Sequence, residues 1–302
     1  MNLLVTGGWY EAPRYLDEIR DMGYTVYFME KEDGDLPCDP AIIDGAVYCR
    51  MFNYHSVEQF TNLKFIQTES VGYDRVPVEY CKEHGIVMHN VGIAYANAMS
   101  EYIIGHLLSW YQNMAQELEN QANHGWVKNH DKKELTGRRV CIIGTGNIAR
   151  LTARKLKGFD CYVTGITHTV REIENFDEVL GYDELHRVLA EADVLVMAAP
   201  QTGRPVVGES ELALMKRDAV LVNVSRGTEL DQAALIKALK SGAIQAAILD
   251  VMDEEPLGPD NELWNLDNVI LTPHSSYIGE GNAERLWGVI KNNLKEELEK
   301  TL

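Results

Sequence analysis

Three polar side chains stand at the ends of apolar runs in the C-terminal half of the chain. They are Arg226 in "VNVSRGTELD", Glu255 in "ILDVMDEEPL" and His274 in "LTPHSS". Upstream, Gly144-Thr145-Gly146-Asn147-Ile148-Ala149 follows the apolar run "RVCII" and precedes a helical pattern. This is the G-x-G-x-x-G/A turn that seats a pyrophosphate. Its first glycine permits the tight turn and its second lets the backbone approach the phosphates. The small third residue allows close helix packing, and the helix N-terminus supplies N–H donors and a positive dipole. Taken singly, the three polar residues have ordinary explanations: a surface ion-pair partner, one more acid on an acidic protein, a satisfied loop histidine. Taken together beside a dinucleotide turn, they amount to a carboxylate binder, an orienting acid and an acid/base.

Elements that could hold such a set are legible as two series of short apolar runs separated by helical patterns. The first series is "LLVTG", "TVYFM", "GAVYC", "FIQT" and "IVMHN"; the second is "RVCIIG", "CYVTGIT", "VLVMAA", "AVLVNVS", "AAILDV" and "VILTPH". Runs that are apolar throughout, rather than alternating, fit parallel strands covered on both faces. Two strand-helix series imply two doubly wound α/β domains: a flavodoxin-like one and a Rossmann one. Strand ends of such sheets face the ligand crevice, which gathers Arg226, Glu255 and His274 on one side. Between the series, "NAMSEYIIGHLLSWYQNMAQEL" reads as one helix connecting the domains. In "DQAALIKALKSG", Asp231 marks a helix start and Gly242 its stop. The tail "NAERLWGVIKNNLKEELEKTL" reads as a helix that packs back on the first domain. A second glycine turn, "VTGGWY", lacks the dinucleotide spacing and reads as a plain βα turn.

Composition sets the bounds. The 302 residues are 45% hydrophobic and 25% charged, enough for two ordinary domains with cores of their own. With 46 acidic against 28 basic residues the net charge is −18, which would repel a phosphate backbone and argues against nucleic acid as a partner. Five scattered cysteines without paired spacing argue against a disulfide framework or a metal site. The start "MNLLVTGGWYEAP" lacks a basic n-region, and no run approaches the ~18 apolar residues of a membrane span. The expectation is a cytoplasmic protein with no membrane partner.

The ordered set "GTGNIAR", "NVSRGTELD", "LDVMDEEPL" and "LTPHSS" resembles the D-isomer-specific 2-hydroxyacid dehydrogenases. "TESVGYDRV" and "HGIVMHNVGIAYANAMSEYIIGHLL" are similar to that family's first-half segments, so the resemblance covers nearly the whole chain. It implies a substrate-binding domain from residues 1–97 plus 281–302, a dinucleotide-binding domain over 98–280, an active site in the cleft, and a homodimer joined through the cofactor domains. By this resemblance Arg226 binds the substrate's carboxylate and carbonyl oxygen, Glu255 is the orienting acid and His274 the acid/base. Asp250 matches the aspartate that contacts the nicotinamide carboxamide, and Val71 and Gly72 match the loop whose N–H groups receive the substrate carboxylate. The cofactor set comprises Gly144, Gly146, Asn147, Ile148, Thr167, His168, Thr169, Pro200 and Asp250.

Such chemistry is coherent in itself. A 2-keto acid needs its carboxylate neutralised and its carbonyl protonated as a hydride arrives from nicotinamide. Arginine's rigid fork suits a planar carboxylate better than a lysine does. His274 would give its proton to the developing alkoxide, and Glu255 on the other ring nitrogen would fix the tautomer. Pro205 and Ala96 depart from the family, standing where many members carry threonine near the cofactor. A third departure concerns the nucleotide. The acid that holds a ribose 2′-OH is expected about 20 residues after the second glycine, where Thr167 stands. Thr167, His168, Thr169 and Arg171 offer donors instead, which favours NADP(H) while leaving NAD(H) as the alternative. The expected activity is hydride transfer between NAD(P)H and a small 2-keto or D-2-hydroxy acid. The contrasting expectation is a nucleotide-sensing, co-repressor-like binding protein on the same fold. "CRMFNYHS" ends a first-series strand, and its Arg50, Tyr54 and His55 either read a polar substituent of the substrate or form a solvated loop.

Overall fold

The computed structural model describes residues 1–300. In chain order the principal elements begin with β1 (Asn2–Thr6), α1 (Ala12–Asp21), β2 (Thr25–Met29), β3 (Gly45–Tyr48), β4 (Phe65–Thr68), α2 (Val78–His84) and β5 (Val87–His89). Next come α3 (Ala96–Tyr111), α4 (Met114–Ala122), β6 (Arg139–Ile143), α5 (Asn147–Lys157), β7 (Tyr162–Ile166), β8 (Glu178–Leu180), α6 (Leu185–Glu191) and β9 (Val194–Met197). The remainder are α7 (Glu209–Leu214), β10 (Val220–Asn223), α8 (Gln232–Ser241), β11 (Ala246–Leu249), β12 (Val269–Leu271) and α9 (Asn282–Glu299). They divide into two compact units, Met1–Tyr95 with the segment from Gly279, and Ala96–Ile278.

The first unit is a five-stranded parallel sheet in the order β2-β1-β3-β4-β5, the flavodoxin arrangement. Its strands are apolar throughout because both faces are covered; Leu3, Leu4 and Val5 of β1 are wholly buried. Helix α9 covers one face through Leu286, Trp287, Ile290 and Leu294, in one core cluster with Leu3 and Val5. The Trp287 ring stacks on Tyr15 with centroids 4.5 Å apart, so the tail does pack on the first unit. The sequence pattern carries this helix to Leu302, but Thr301 and Leu302 lie outside the described residues.

The second unit holds a seven-stranded parallel sheet, β12-β11-β10-β9-β6-β7-β8. Chain order runs outward from β6 in one direction and from β9 in the other. The switch point of a Rossmann sheet therefore lies between those two strands. Asp231 caps α8 by accepting from the Ala234 N–H at 2.9 Å, and Gly242 ends it in the left-handed region at φ 65°.

Two expectations are corrected. The long helix between the series is broken into α3 and α4 at Asn113, which adopts φ 51°. Asparagine tolerates that conformation, and the freed Tyr111 carbonyl accepts from the Lys133 N–H at 2.8 Å. Both helices belong to the second unit. Strand β8, too short and polar to register as an apolar run, pairs with β7 at the sheet edge. Among the described residues no helix is long and apolar enough to cross a membrane.

Candidate active site

The dinucleotide turn joins β6 to α5. Gly144 sits at φ 100°, where an L side chain is strained, and a Cβ there would lie 2.8 Å from the Ala198 carbonyl oxygen. Gly146 is the N-cap of α5 and faces open space, with nothing within 4 Å of where its Cβ would be. Ala149 is fully buried under the helix, Ile148 is half-buried and Asn147 is exposed at the helix's first turn. A polyphosphate therefore fits here: bare backbone, a helix N-terminus and room for close approach. At the end of β7, Thr167 continues the pairing by donating its N–H to the Leu180 carbonyl at 2.9 Å. His168 stacks on Tyr182 at 4.4 Å, and Thr169 is exposed beside it. An open groove of about 540 Å³ runs past this loop, lined by Arg150, Arg154 and Arg171 together with Glu172 and Glu174. Pro200 begins the exposed loop that follows β9.

Arg226, Glu255 and His274 follow three adjacent strands, β10, β11 and β12, all parallel, so they emerge from one edge of the sheet. Neighbouring strands lie only about 4.8 Å apart. The Arg226 backbone is held by Asn223, wholly buried at the end of β10, whose side-chain amide donates to the Arg226 carbonyl at 3.1 Å. Gly227 then packs against the next loop so closely that a Cβ would fall 2.0 Å from the Met252 carbonyl. That loop is braced internally: Glu255 Oε1 accepts from the Met252 N–H at 3.1 Å. Glu255 Oε2 lies 2.7 Å from His274 Nδ1. An ionised carboxylate only accepts, so Nδ1 carries the hydrogen and Nε2 is left for other partners. Both side chains keep over a third of their surface exposed, so a small molecule can reach the ring.

His274 itself sits at φ 49°, a conformation costing a non-glycine residue about 1–3 kcal/mol. Asp250 imposes it. The residue is wholly buried, and its carboxylate accepts from Thr272 Oγ1 at 2.6 Å, Ser275 N at 2.8 Å and Ser276 N at 3.0 Å. Its carbonyl accepts from the His274 N–H at 2.9 Å. Because Thr272 gives its proton to Asp250, the hydroxyl of the half-buried Tyr102 donates to Thr272, at 2.7 Å. The residue expected at the nicotinamide carboxamide is thus also the brace of the histidine loop.

In the first unit, Val71 and Gly72 follow β4. Their carbonyls accept from Asn90 Nδ2 at 2.8 Å and Ser70 Oγ at 2.6 Å. In the same unit the buried Glu32 accepts from Thr6 Oγ1 and from the N–H groups of Cys49 and Arg50 at 2.6–2.8 Å. This fixes the start of the "CRMFNYHS" segment. His55 Nε2 is engaged by the Glu32 carbonyl at 3.1 Å, whereas Tyr54 and Arg50 are exposed.

A family model described as D-isomer specific 2-hydroxyacid dehydrogenase, NAD binding domain, matches residues 104–276, more than half of the chain and all within the second unit. The chain belongs to the D-isomer specific 2-hydroxyacid dehydrogenase family. A glyoxylate reductase of Thermococcus gammatolerans is 32% identical over 300 residues, 94% of this chain and 83% of that protein. A D-3-phosphoglycerate dehydrogenase of Methanocaldococcus jannaschii is 33% identical over 250 residues, 82% of this chain. The chain spans only 47% of that relative's length. Among solved structures, an NADPH-dependent glyoxylate/hydroxypyruvate reductase of Sinorhizobium meliloti superposes with a TM-score of 0.82. It is 26% identical and is matched over 97% of this chain and 93% of that one.

Within the family fold, several supporting residues escaped sequence reasoning. Tyr102 and Thr272 brace the histidine loop from a distant helix and a strand end, and no local pattern links them. Gly227 did carry a signal, since a glycine directly after Arg226 marks a close approach.

Proposed function

We propose that the protein is an NAD(P)H-dependent 2-keto acid reductase, running in reverse as a D-2-hydroxyacid dehydrogenase. The observation that carries this reading is the 2.7 Å contact between Glu255 and His274 Nδ1, on a loop next to the strand that presents Arg226. Nicotinamide, when bound, supplies the hydride. His274 Nε2 delivers the proton to the carbonyl oxygen as it becomes an alkoxide. Glu255 holds the ring's orientation and offsets its charge. Arg226 binds the carboxylate and carbonyl oxygen with its planar fork, and the N–H groups of Val71 and Gly72 receive the carboxylate. Gly144, Gly146, Asn147 and Ile148 seat the pyrophosphate, with Pro200 and Asp250 on the nicotinamide side.

NADP(H) is the preferred cofactor in this reading. Thr167, His168 and Thr169 present no carboxylate to repel a 2′-phosphate, and Arg150, Arg154 and Arg171 outnumber Glu172 and Glu174 along the adjoining groove. The similar Sinorhizobium reductase is described as NADPH-dependent. A cytoplasmic homodimer completes the proposal. The 98% exposure of Trp126 and 60% exposure of Leu118, in and after α4, supports an apolar surface covered by a second copy. Free thiols at all five cysteines suit a reducing compartment.

Titration with NADPH and NADH, followed by turnover of a 2-keto acid panel, tests the reading. Reduction with kcat/KM favouring NADPH, and a shift toward NADH in Thr167→Asp, is expected. Cofactor binding with no turnover would favour the nucleotide-sensing alternative, and an unchanged ratio in Thr167→Asp would sink the cofactor assignment.

A further inference from the structure

One buried carboxylate in the second unit has no part in the chemistry above. Glu229 follows Arg226 by one turn and is 1% exposed, which is costly for an acid unless its oxygens are satisfied. Its partner is the loop after β9. Glu229 Oε1 accepts from the Thr202 N–H at 2.7 Å, and Oε2 lies 2.9 Å from Thr202 Oγ1. That hydroxyl is also 2.8 Å from the Arg204 carbonyl, so its single proton is shared and the loop folds back over the carboxylate. The Glu229 carbonyl accepts from Val206 N at 2.8 Å and Val207 N at 3.2 Å, and the Asp231 N–H donates to the Val207 carbonyl at 2.9 Å.

The two segments are therefore zipped together along residues 202–207 and 229–231, with Glu229 at the centre. Without the carboxylate, residues 200–204 would keep few ties, because all five are exposed. At the other end of the zipped segment, the Glu229 N–H donates to the Arg226 carbonyl at 3.3 Å. One residue thus ties the loop after β9 to the segment that carries Arg226.

We propose that Glu229 is a positioning residue, holding the loop from Pro200 to Arg204 in the shape that receives the cofactor and keeping it in register with Arg226. The inference rests on the reductase reading. It places on Glu229 no contact with substrate or cofactor, so its loss should act on binding more than on the chemical step.

The test measures cofactor Kd by fluorescence titration, and KM and kcat separately, for Glu229→Ala, Glu229→Gln and Thr202→Val. Glu229→Ala should raise the Kd and KM for NADPH about tenfold, the scale of one hydrogen-bonded anchor lost, with kcat at saturating cofactor within about threefold of the parent. Glu229→Gln keeps an acceptor oxygen and should recover most of the affinity. Thr202→Val, on the exposed loop, should weaken binding in the parent and add nothing in the Glu229→Ala background. Parent-like affinity in Glu229→Ala or Thr202→Val, or strictly additive losses, would overturn the inference while leaving the reductase intact. A parent that binds neither NADPH nor NADH would remove both readings together.

Discussion

His274 is held from two sides at the scale of single residues. Glu255 orients the ring at 2.7 Å, and the Asp250 carboxylate secures the backbone on which the ring hangs. The left-handed φ of 49° is tolerated because three hydrogen bonds from flanking residues and one from the His274 N–H converge on Asp250. Ring and loop are thus separable. His274→Ala should lower kcat by ~10²–10⁴ while leaving cofactor affinity close to the parent's. Glu255→Gln retains a hydrogen-bond partner but no charge, and should lose less than His274→Ala. Steady-state kinetics with a matched cofactor titration decide this. A fall in kcat smaller than about tenfold in His274→Ala would remove the proton-transfer role.

Between elements, the close approach of backbones does the positioning. Gly227 and Gly146 are both glycines in turns after parallel strands, yet their surroundings are opposite. A Cβ on Gly227 would sit 2.0 Å from the Met252 carbonyl and 2.4 Å from the Asp253 N, backbone atoms that cannot yield as a flexible side chain can. A Cβ on Gly146 would meet nothing within 4 Å. Gly227→Ala should therefore cost about 1–3 kcal/mol of stability and push the Arg226 and Glu255 loops apart, with a large loss in kcat/KM. Gly146→Ala should keep the parent Tm and weaken cofactor binding, because the space it fills is the space a phosphate needs. Thermal melts beside cofactor titrations distinguish the two. Equal Tm losses in both variants would contradict this division.

For the molecule as a whole, stability against pH depends on net charge and, in the first unit, on one half-buried acid, Glu69. The formal charge of −18 makes the folded chain self-repelling near neutrality, an effect that salt screens. Glu69, at the end of β4, has its carboxyl pushed up to about 7, chiefly by burial and further by Glu32, against the lowering effects of Cys49, Arg75 and Arg50. The unfolded chain releases that proton near the ordinary value of 4.5, whereas the folded chain keeps it to about 7. The folded state thus binds the extra proton, and this contribution to stability, full below the ordinary value, is lost as pH rises through about 7. At fixed salt, Glu69→Gln should flatten the fall in Tm between pH 5 and pH 8, values chosen to bracket roughly that window, and melt higher than the parent at the upper end. A parallel pH profile in the variant would show that Glu69 is not the group responsible.

Much of this was legible in the amino-acid order, for reasons of period and punctuation. Short apolar runs without alternation, separated by helical patterns, fit strands covered on both faces, and parallel pairing is what such strands commonly adopt. The caps Asp231 and Gly242 act on their nearest backbone groups, and the turn from Gly144 to Ala149 is a local requirement for phosphate approach, so short stretches sufficed for each. Arg226, Glu255 and His274 stood out because polar residues at strand ends interrupt apolar runs. The break at Asn113 was not legible, because an apolar helical pattern crosses it and only the returning Lys133 segment takes up the exposed carbonyl. Nor were the Asp250 brace with Thr272 and Tyr102, or the hold of Glu229 on Thr202. Those pairs are 22, 170 and 27 residues apart, and their energy comes from excluding water around hydrogen bonds that only tertiary packing can bring together.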